Sequence, residues 1–558
     1  KDLSFDEAKE VVRASTLFTT HTPVPAGHDR FDEDLMRAYL PHYAERLNIS
    51  WDDFMALGRV NKEDHSEKFS MSILAAKLSQ GMNGVSKIHG RVSQEMFANM
   101  FPGYYPNELY ISYVTNGVHF PTWASKRWGK LYHELQKDFF ENQSVQENWN
   151  KIYEIDDKRI LDLRNNQRKK LVDYLKGRLD AEMQARNAAP KRLVDVINNL
   201  RDDVLTIGFA RRFATYKRAH LLFNDLDKLD KLVNNSERPI QFIFAGKAHP
   251  ADKAGQDLIK RIVEISKLPN FEGRIIFVEN YDIALAKRLI SGVDVWLNNP
   301  TRPLEASGTS GEKAIMNGVL NFSVLDGWWA EGYVEGAGWA LSEERTYDEQ
   351  NQQDILDASL LYHIFENEIA DTFYDKDEKG VSKAWIAMIK KNIAEIAPNF
   401  TMKRMIDDYS RKYYIPQIKR FNDITFNNYK KLKQLVDWKN KFAAAWSSFE
   451  VVDISYPDSN VNPLNFGDDF TAKVLLRIGE CKPENVGVEM VLAEKEDQEV
   501  KNISSLEELK FVKIVEGVAQ YEIKLPISRA GVFNFTFRVF PKHELLPHRQ
   551  DFPLIKWI

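Results

Sequence analysis

Five short apolar runs between residues 204 and 325, with helical spacing in the stretches between them, constrain this chain more than any other feature. The runs lie at 204–209, 240–245, 274–278, 293–297 and 320–325, and the segments between them carry patterns such as Leu258, Ile259, Ile262 and Val263 at i, i+1, i+4 and i+5. Strands that alternate with helices assemble into a parallel sheet covered on both faces, so this zone predicts a doubly wound α/β domain.

The flanking zones read differently. Residues 1–115 offer a short strand at Leu17-Phe18-Thr19-Thr20 and helical apolar spacing at 69–78 and 85–97, too few elements for a complete domain. The α/β zone spans 116–447, with 357–437 mostly helical. From 448 to 558 short alternating runs, such as Val474-Leu475-Leu476 and 532–537, predict a small β-sandwich.

At 558 residues the chain is several domains long, which excludes a single small binding module. It is 43% hydrophobic and 28% charged, an ordinary globular balance, and 76 basic against 81 acidic residues supply no cationic excess for a nucleic acid or an anionic membrane. The one cysteine, Cys481, cannot close an intrachain disulfide or build a cysteine-based metal cluster, which fits a reducing compartment. No apolar run approaches the roughly 18 residues of a membrane span, and residues 1–13 lack the apolar core of a signal peptide. A cytoplasmic protein is expected. The chain opens on Lys1 and enters a dense segment by residue 15, so a fragment or a processed chain is expected as well.

Ligands of an open parallel sheet sit beyond the carboxyl ends of its strands, which directs attention to the residues after each run. After 204–210 comes Arg211-Arg212-Phe213-Ala214-Thr215-Tyr216-Lys217-Arg218, four cations in eight residues. Like charges this close repel, so the segment is either neutralised by a bound anion or is a basic surface turn. Gly246-Lys247-Ala248-His249-Pro250 and Glu279-Asn280-Tyr281-Asp282 follow the next two runs, where polar side chains either reach a crevice or cap and turn the backbone. The strongest signal is Glu305-Ala306-Ser307-Gly308-Thr309-Ser310-Gly311-Glu312-Lys313, running into the apolar Ala314-Ile315-Met316. Small residues at a helix start expose backbone N–H groups that, with the helix dipole, cradle a phosphate. Lys313 is expected in the first turn of that helix, where its charge opposes the dipole and calls for a compensating anion or a covalent modification.

The string 305–313 with Met316-Asn317-Gly318 resembles the pyridoxal-phosphate lysine motif of the α-glucan (glycogen, starch, maltodextrin) phosphorylases. Six further segments occur in that family's order. They are Thr20-His21-Thr22 with Val24-Pro25, in the form of its shorter bacterial branch, Asn83-Gly84-Val85 with His89, Thr115-Asn116-Gly117-Val118 with Trp123, the turn 212–218, Gly246-Lys247-Ala248 with Pro250, and Glu279-Asn280-Tyr281. The likeness runs from about residue 15 to residue 330, and the β-rich tail resembles the accessory module of the same branch. The sequence departs from the family in three ways. The glycine-rich loop of the family's first domain is missing, as expected of a chain that starts late. Arg211 stands where most members carry Lys, which keeps the charge and alters the hydrogen-bond geometry. Ser310 and the Gly311-Glu312 pair replace a Gly and a less acidic pair.

The resemblance implies two Rossmann-like domains (the GT-B glycosyltransferase fold) and a C-terminal β-sandwich. Residues 1–115 would be a remnant of the first domain, 116–447 the second, cofactor-binding domain with a helical extension, and 448–558 the accessory domain. It implies an enzyme, a hexosyltransferase that passes a terminal glucosyl unit from an α-1,4-glucan to inorganic phosphate with retention, giving α-glucose 1-phosphate, with this chain alone weakly active or inactive. Lys313 would hold pyridoxal 5'-phosphate covalently, with Thr309, Ser310 and Arg211 at its phosphate and Trp123 and Tyr281 packed near it. Arg212 and Lys217 would fix the substrate phosphate, His21 and Asn116 the glucosyl 6-hydroxyl, and Tyr216, Glu305, Ser307 and Gly308 the other ring hydroxyls. No metal, nucleic acid or membrane is implied, and a homo-oligomer is compatible with it. Two other functions stand beside this one: a nucleotide-sugar glucosyltransferase of the same architecture, which needs no covalent lysine, and a catalytically silent glucan-binding piece of a larger polypeptide.

Overall fold

The first strand, β1 (Leu17–Thr19), is followed by an antiparallel ribbon of β2 (Arg30–Phe31) and β3 (Phe69–Ser70). β1 pairs in parallel with β4 (Gly81–Gly84), which pairs in parallel with β5 (Ser112–Tyr113), so the amino-terminal zone holds a three-stranded parallel sheet. The computed structural model describes residues 3–341, 347–457, 466–496, 499–527 and 533–558. The helix expected at 69–78 is shortened. Phe69 pairs with Phe31 in the ribbon and stacks on Phe54, and Ser70 caps the remaining helix, Met71–Lys77. The second expected helix forms as Lys87–Phe97, capped by Ser86, whose Oγ accepts the His89 N–H at 3.2 Å.

The apolar runs of the middle zone become an all-parallel sheet. Its strands are β6 (Leu205–Ala210), β7 (Ile240–Ala245), β8 (Ile275–Val278), β9 (Val295–Asn298), β10 (Leu320–Val324) and β11 (Gly338–Leu341), in the order β11-β10-β9-β6-β7-β8. Alternation along β7 sends Phe242 and Phe244 into a core with Leu361, Phe365 and Ile389, and Ile243 and Ala245 into a second core under Leu171, Leu175, Leu285 and Leu289. Both faces are covered, as the alternation of strands and helices predicts. The strand order reverses between β6 and β9, which opens a crevice at the carboxyl ends of those two strands. Behind the sheet the long helix Asp157–Ala185 buries Arg164 and Arg168. Arg168 donates to Asp294 at 2.7 Å, and Arg164 donates to the Asn317 carbonyl at 2.9 Å.

A second long helix, Ile415–Trp446, loses helical dihedrals at Phe426, Asn427, Asn428 and Tyr429 and packs Ile424, Leu432 and Val436 against Ala14. Two antiparallel four-stranded sheets follow. One holds β12 (Glu450–Ser455), β13 (Asp469–Arg477), β16 (Lys510–Val515) and β17 (Val518–Pro526), the other β14 (Val486–Glu496), β15 (Glu499–Glu508), β18 (Phe533–Pro541) and β19 (Lys556–Trp557). The run expected at 532–537 starts one residue outside the described segment and continues as β18. Val474 and Leu476 of one sheet meet Val488 and Val539 of the other in a core shared with Phe442. Buried ion pairs fasten this part to the amino-terminal zone. Asp551 bonds Arg13 at 2.6 Å and Lys439 at 2.7 Å, and Arg538 bonds Glu489 at 2.6 Å and Glu108 at 2.9 Å. Burial alone would raise the Asp551 carboxyl, but Arg13 and Lys439 prevail and hold it well below the usual range. No helix among the described residues is long and apolar enough to cross a membrane.

Candidate functional site

β6 ends at Ala210, so Arg211 leaves the sheet at its carboxyl edge and the chain turns through a short 3-10 segment at Thr215–Lys217. The Arg211 N–H donates to the Ala245 carbonyl at 3.1 Å, and the Phe213 N–H to the Lys247 carbonyl at 2.9 Å. Glycine is required at 246, because a Cβ there would lie 1.9 Å from the Arg211 carbonyl oxygen. The segment after β7 therefore turns the backbone and supports the basic turn. Asp282 likewise caps the helix Ile283–Gly292, accepting the Leu285 N–H at 2.7 Å, while the Glu279 and Asn280 carbonyls accept Arg178.

The four cations of the turn divide. Arg218 is buried and spends its guanidinium on the protein: Nε on the Asn299 carbonyl at 2.9 Å, Nη2 on the Pro300 carbonyl at 2.9 Å, and Nη1 on Asp354 at 3.0 Å and Asp357 at 2.6 Å. It locks the turn to the loop after β9 and is not open to an added anion. The other three face the crevice. Lys217 donates to the Glu305 carboxylate, and Arg211 Nη1 lies 3.6 Å from the same oxygen, buried and without a hydrogen-bond partner. Arg212 is exposed. Burial and the neighbouring Arg211 push the Lys217 amine down to about 8, against the pull of Glu305. Burial works to raise the Glu305 carboxyl, but Arg211 and Lys217 outweigh it and leave it below the usual value.

These groups line a cleft of about 340 Å³. His21, Thr22, Val85 and Asn116 enter it from the amino-terminal zone, and Arg211, Arg212, Tyr216, Lys217, Glu305, Ser307, Gly308, Thr309 and Ser310 from the second sheet. All the residues expected to touch glucan or substrate phosphate are thus brought together. The Glu305 loop is pinned from behind by Asp326, which accepts the Glu305 N–H at 2.9 Å and the Gly327 N–H at 2.8 Å. Burial raises the Asp326 carboxyl to about 7, although both backbone donors favour its ionised form. Ser307 Oγ is buried without a partner, and so are both carboxylate oxygens of Glu312. His21 is lowered by partial burial, and behind it the buried His89 is lowered by burial to about 4 and accepts the Val85 N–H at 3.2 Å.

Lys313 departs from expectation. Gly308 adopts a left-handed φ of 86° and the helix begins only at Thr309, ending at Ile315, so Lys313 falls in its last turn, where a cation suits the dipole. The dipole therefore gives no ground for a compensating anion. What sets this lysine apart is its surroundings: its Nζ lies 4.1 Å from the centre of the Trp123 ring, and burial lowers its amine below the ordinary value. Lys313, Trp123 and Tyr281 stand outside the lining of the cleft. Trp123 and Tyr281 both pack on the core beneath β6 to β9, and the Tyr281 phenol is raised by burial and drawn back by Arg211.

Several lining residues escaped the sequence reasoning. Thr22 and Val85 sit inside quoted motifs but were given no role, and Leu304 and Ala306 flank Glu305. Asp326 carried a signal, an Asp-Gly pair directly after an apolar run.

Residues 1–332 match the family described as carbohydrate phosphorylase, and residues 446–558 match the glycogen phosphorylase C-terminal domain. A protein named glycogen phosphorylase from Mycobacterium bovis is 37% identical over 99% of this chain and 64% of its own length. One named maltodextrin phosphorylase from Thermococcus litoralis is 36% identical over 100% of this chain and 64% of its own, and a glycogen phosphorylase from Aquifex aeolicus is 43% identical over 74% of this chain and 59% of its own. The chain thus spans under two thirds of the length of these relatives. The family match covers the first parallel sheet, five of the six strands of the second and every residue that lines the cleft, from His21 to Ser310, and on that footing the chain belongs to the carbohydrate phosphorylase family.

Proposed function

We propose that the protein is an α-1,4-glucan phosphorylase, transferring a terminal glucosyl unit of glycogen or maltodextrin to inorganic phosphate and releasing α-glucose 1-phosphate. The observation that supports this most is the meeting, in one cleft, of three cations and one carboxylate on the loops of the second sheet with His21 and Asn116 from the amino-terminal zone. Such a site offers charge-assisted bonds for a dianion beside neutral and acidic groups that suit sugar hydroxyls. The parallel sheets and mixed α/β organisation agree with the GT-B fold of phosphorylases. We read 1–115 as part of a first Rossmann-like domain, 116–447 as the second and 448–558 as a β-sandwich tail.

Pyridoxal 5'-phosphate fits the residues present. Arg211 Nη1 is a buried donor without a hydrogen-bond partner, and the Lys313 amine, lowered by burial, lies over the Trp123 ring. Lys313 would hold the aldehyde, Thr309, Ser310 and Arg211 the phosphate, and Trp123 and Tyr281 would pack alongside. When bound, the group supplies a phosphate able to exchange a proton with the substrate phosphate. Arg212 and Lys217 then bind and orient the substrate phosphate. His21 and Asn116 hold the glucosyl 6-hydroxyl, while Tyr216, Glu305, Ser307 and Gly308 fix the remaining hydroxyls, and the two walls together keep water from the reacting carbon. Incubation with maltodextrin and inorganic phosphate, followed for α-glucose 1-phosphate, tests the reading. Absence of that product, with glucosyl transfer from a nucleotide sugar in its place, would overturn it.

A further inference from the structure

Glu331 joins the two walls of the cleft. It lies in the helix Trp329–Gly332, directly after the residues that hold the second wall: Asp326 accepts the Glu305 N–H, and the Trp328 N–H donates to the Ser307 carbonyl at 2.8 Å. Its carboxylate reaches to the first wall. Oε1 accepts the Lys87 N–H at 2.8 Å and the Thr115 hydroxyl at 3.0 Å, and Oε2 lies 2.8 Å from the same hydroxyl. Lys87 opens the helix just after Val85, and Thr115 precedes Asn116, so both partners are two residues or fewer from a side chain that lines the cleft. Asn116 is further fixed by its N–H on the Val85 carbonyl at 3.0 Å and by Arg404, whose Nη2 donates to the Thr115 and Asn116 carbonyls at 2.8 and 3.0 Å.

A carboxylate on the free N–H of a first helical turn is matched both to an orphan donor and to the dipole. Because its carboxylate binds the first wall, while its own N–H donates to the carbonyl of Trp328 at 3.1 Å and Trp328 in turn holds Ser307, it converts the spacing of the walls into a hydrogen-bonded distance. We propose that Glu331 is a positioning residue that sets the register of Val85 and Asn116 against Glu305 and Ser307, and so the alignment of the glucosyl unit with the phosphate. The proposal rests on the phosphorylase reading above.

The test compares Glu331→Ala, Glu331→Gln and the milder Thr115→Val in the holoenzyme, with turnover expressed per bound pyridoxal. Glu331→Ala should lower kcat about tenfold to a hundredfold, because misplacement of reacting groups by about 1 Å costs that much, while cofactor content stays at the wild-type level. Glu331→Gln keeps an acceptor for Lys87 and should stay within about threefold of wild type, and Thr115→Val should fall between. Unchanged kcat in Glu331→Ala, or a Glu331→Gln as poor as the alanine variant, would overturn the proposal. If the wild-type protein makes no glucose 1-phosphate, the activity reading has failed, and the strut is then judged by amide exchange at Lys87. Faster exchange there in Glu331→Ala supports it, and unchanged exchange refutes it.

Discussion

Raising the pH should strip inorganic phosphate from the cleft by deprotonating Lys217. Its amine is buried beside Arg211 and falls to about 8, so it titrates in an accessible range, while Asp326, raised to about 7 behind the Glu305 loop, is common to wild type and to the arginine control below. Glu305 is held below the ordinary carboxylate value and stays ionised, and the Tyr216 phenol is raised by burial above its usual 10. With a midpoint near pH 8 the charged fraction of Lys217 falls from about three quarters at pH 7.5 to about 3% at pH 9.5, roughly twenty-five-fold. If phosphate binds only the charged form, its dissociation constant should rise by nearly that factor. Equilibrium titration with inorganic phosphate at fixed maltodextrin, at pH 7.5, 8.5 and 9.5, measures it. Lys217→Arg supplies the control, because a guanidinium keeps its charge throughout and should flatten the slope. Lys313, whose amine is also lowered, is common to both proteins and cancels in the comparison. A wild-type constant that moves less than threefold, or an arginine variant with the same slope as wild type, would refute the reasoning.

The same titration bears on stability. The unfolded lysine still binds a proton that the folded one has released, so the contribution of Lys217 to stability should rise with pH between about 8 and 10.5, visible in urea midpoints of wild type but not of Lys217→Arg. Lys313→Ala should leave no pyridoxal fixed to the chain by borohydride, read by mass spectrometry, whether or not the variant turns over. Arg218→Ala removes a buried guanidinium from Asp354 and Asp357 and should cost about 3 to 5 kcal/mol in chemical denaturation. Gly246→Ala forces a Cβ against the Arg211 carbonyl, which is backbone and cannot step aside, so a loss of about 1 to 3 kcal/mol or more is expected by the same measurement.

The parts of the fold that were legible in the sequence are those governed by local periodicity. Continuous apolar runs such as 240–245 announced β7, and the helical spacing at 85–97 announced Lys87–Phe97. Long-range pairing decided the rest. Phe69 left its helix because Phe31, 38 residues earlier, lies opposite it, and β11 is a four-residue strand led by a glycine that no period registers. The site was legible where residues follow a strand end directly, as at Arg211 and Glu305. It was not legible where a residue acts from a distance in sequence: Asp354 and Asp357 claim Arg218 from more than 130 positions away, and Glu331 reaches Thr115 across 216. The position of Lys313 in its helix turned on the φ of Gly308, which delays the first turn to Thr309.

The pairing of Glu305 with Lys217 reconciles two roles that the motifs assigned separately, one to sugar and one to phosphate. A lysine this deeply buried, next to Arg211, is pushed toward its neutral form, and a neutral amine has little to offer a dianion. Glu305 opposes that push through a direct bond, so it keeps Lys217 substantially charged at neutral pH before any phosphate arrives. The carboxylate is itself kept ionised by the cations around it and is held in place by Asp326 through its own N–H. Only Oε2 is committed to Lys217 and Arg211, which leaves the other oxygen for a hydroxyl in the cleft. On the proposed reading one acidic residue would serve both halves of the site, charging the phosphate lysine on one oxygen and reading the sugar on the other. Both roles would then share a single pinned side chain, so a change in the Glu305 loop should be felt in the binding of phosphate and of glucan together.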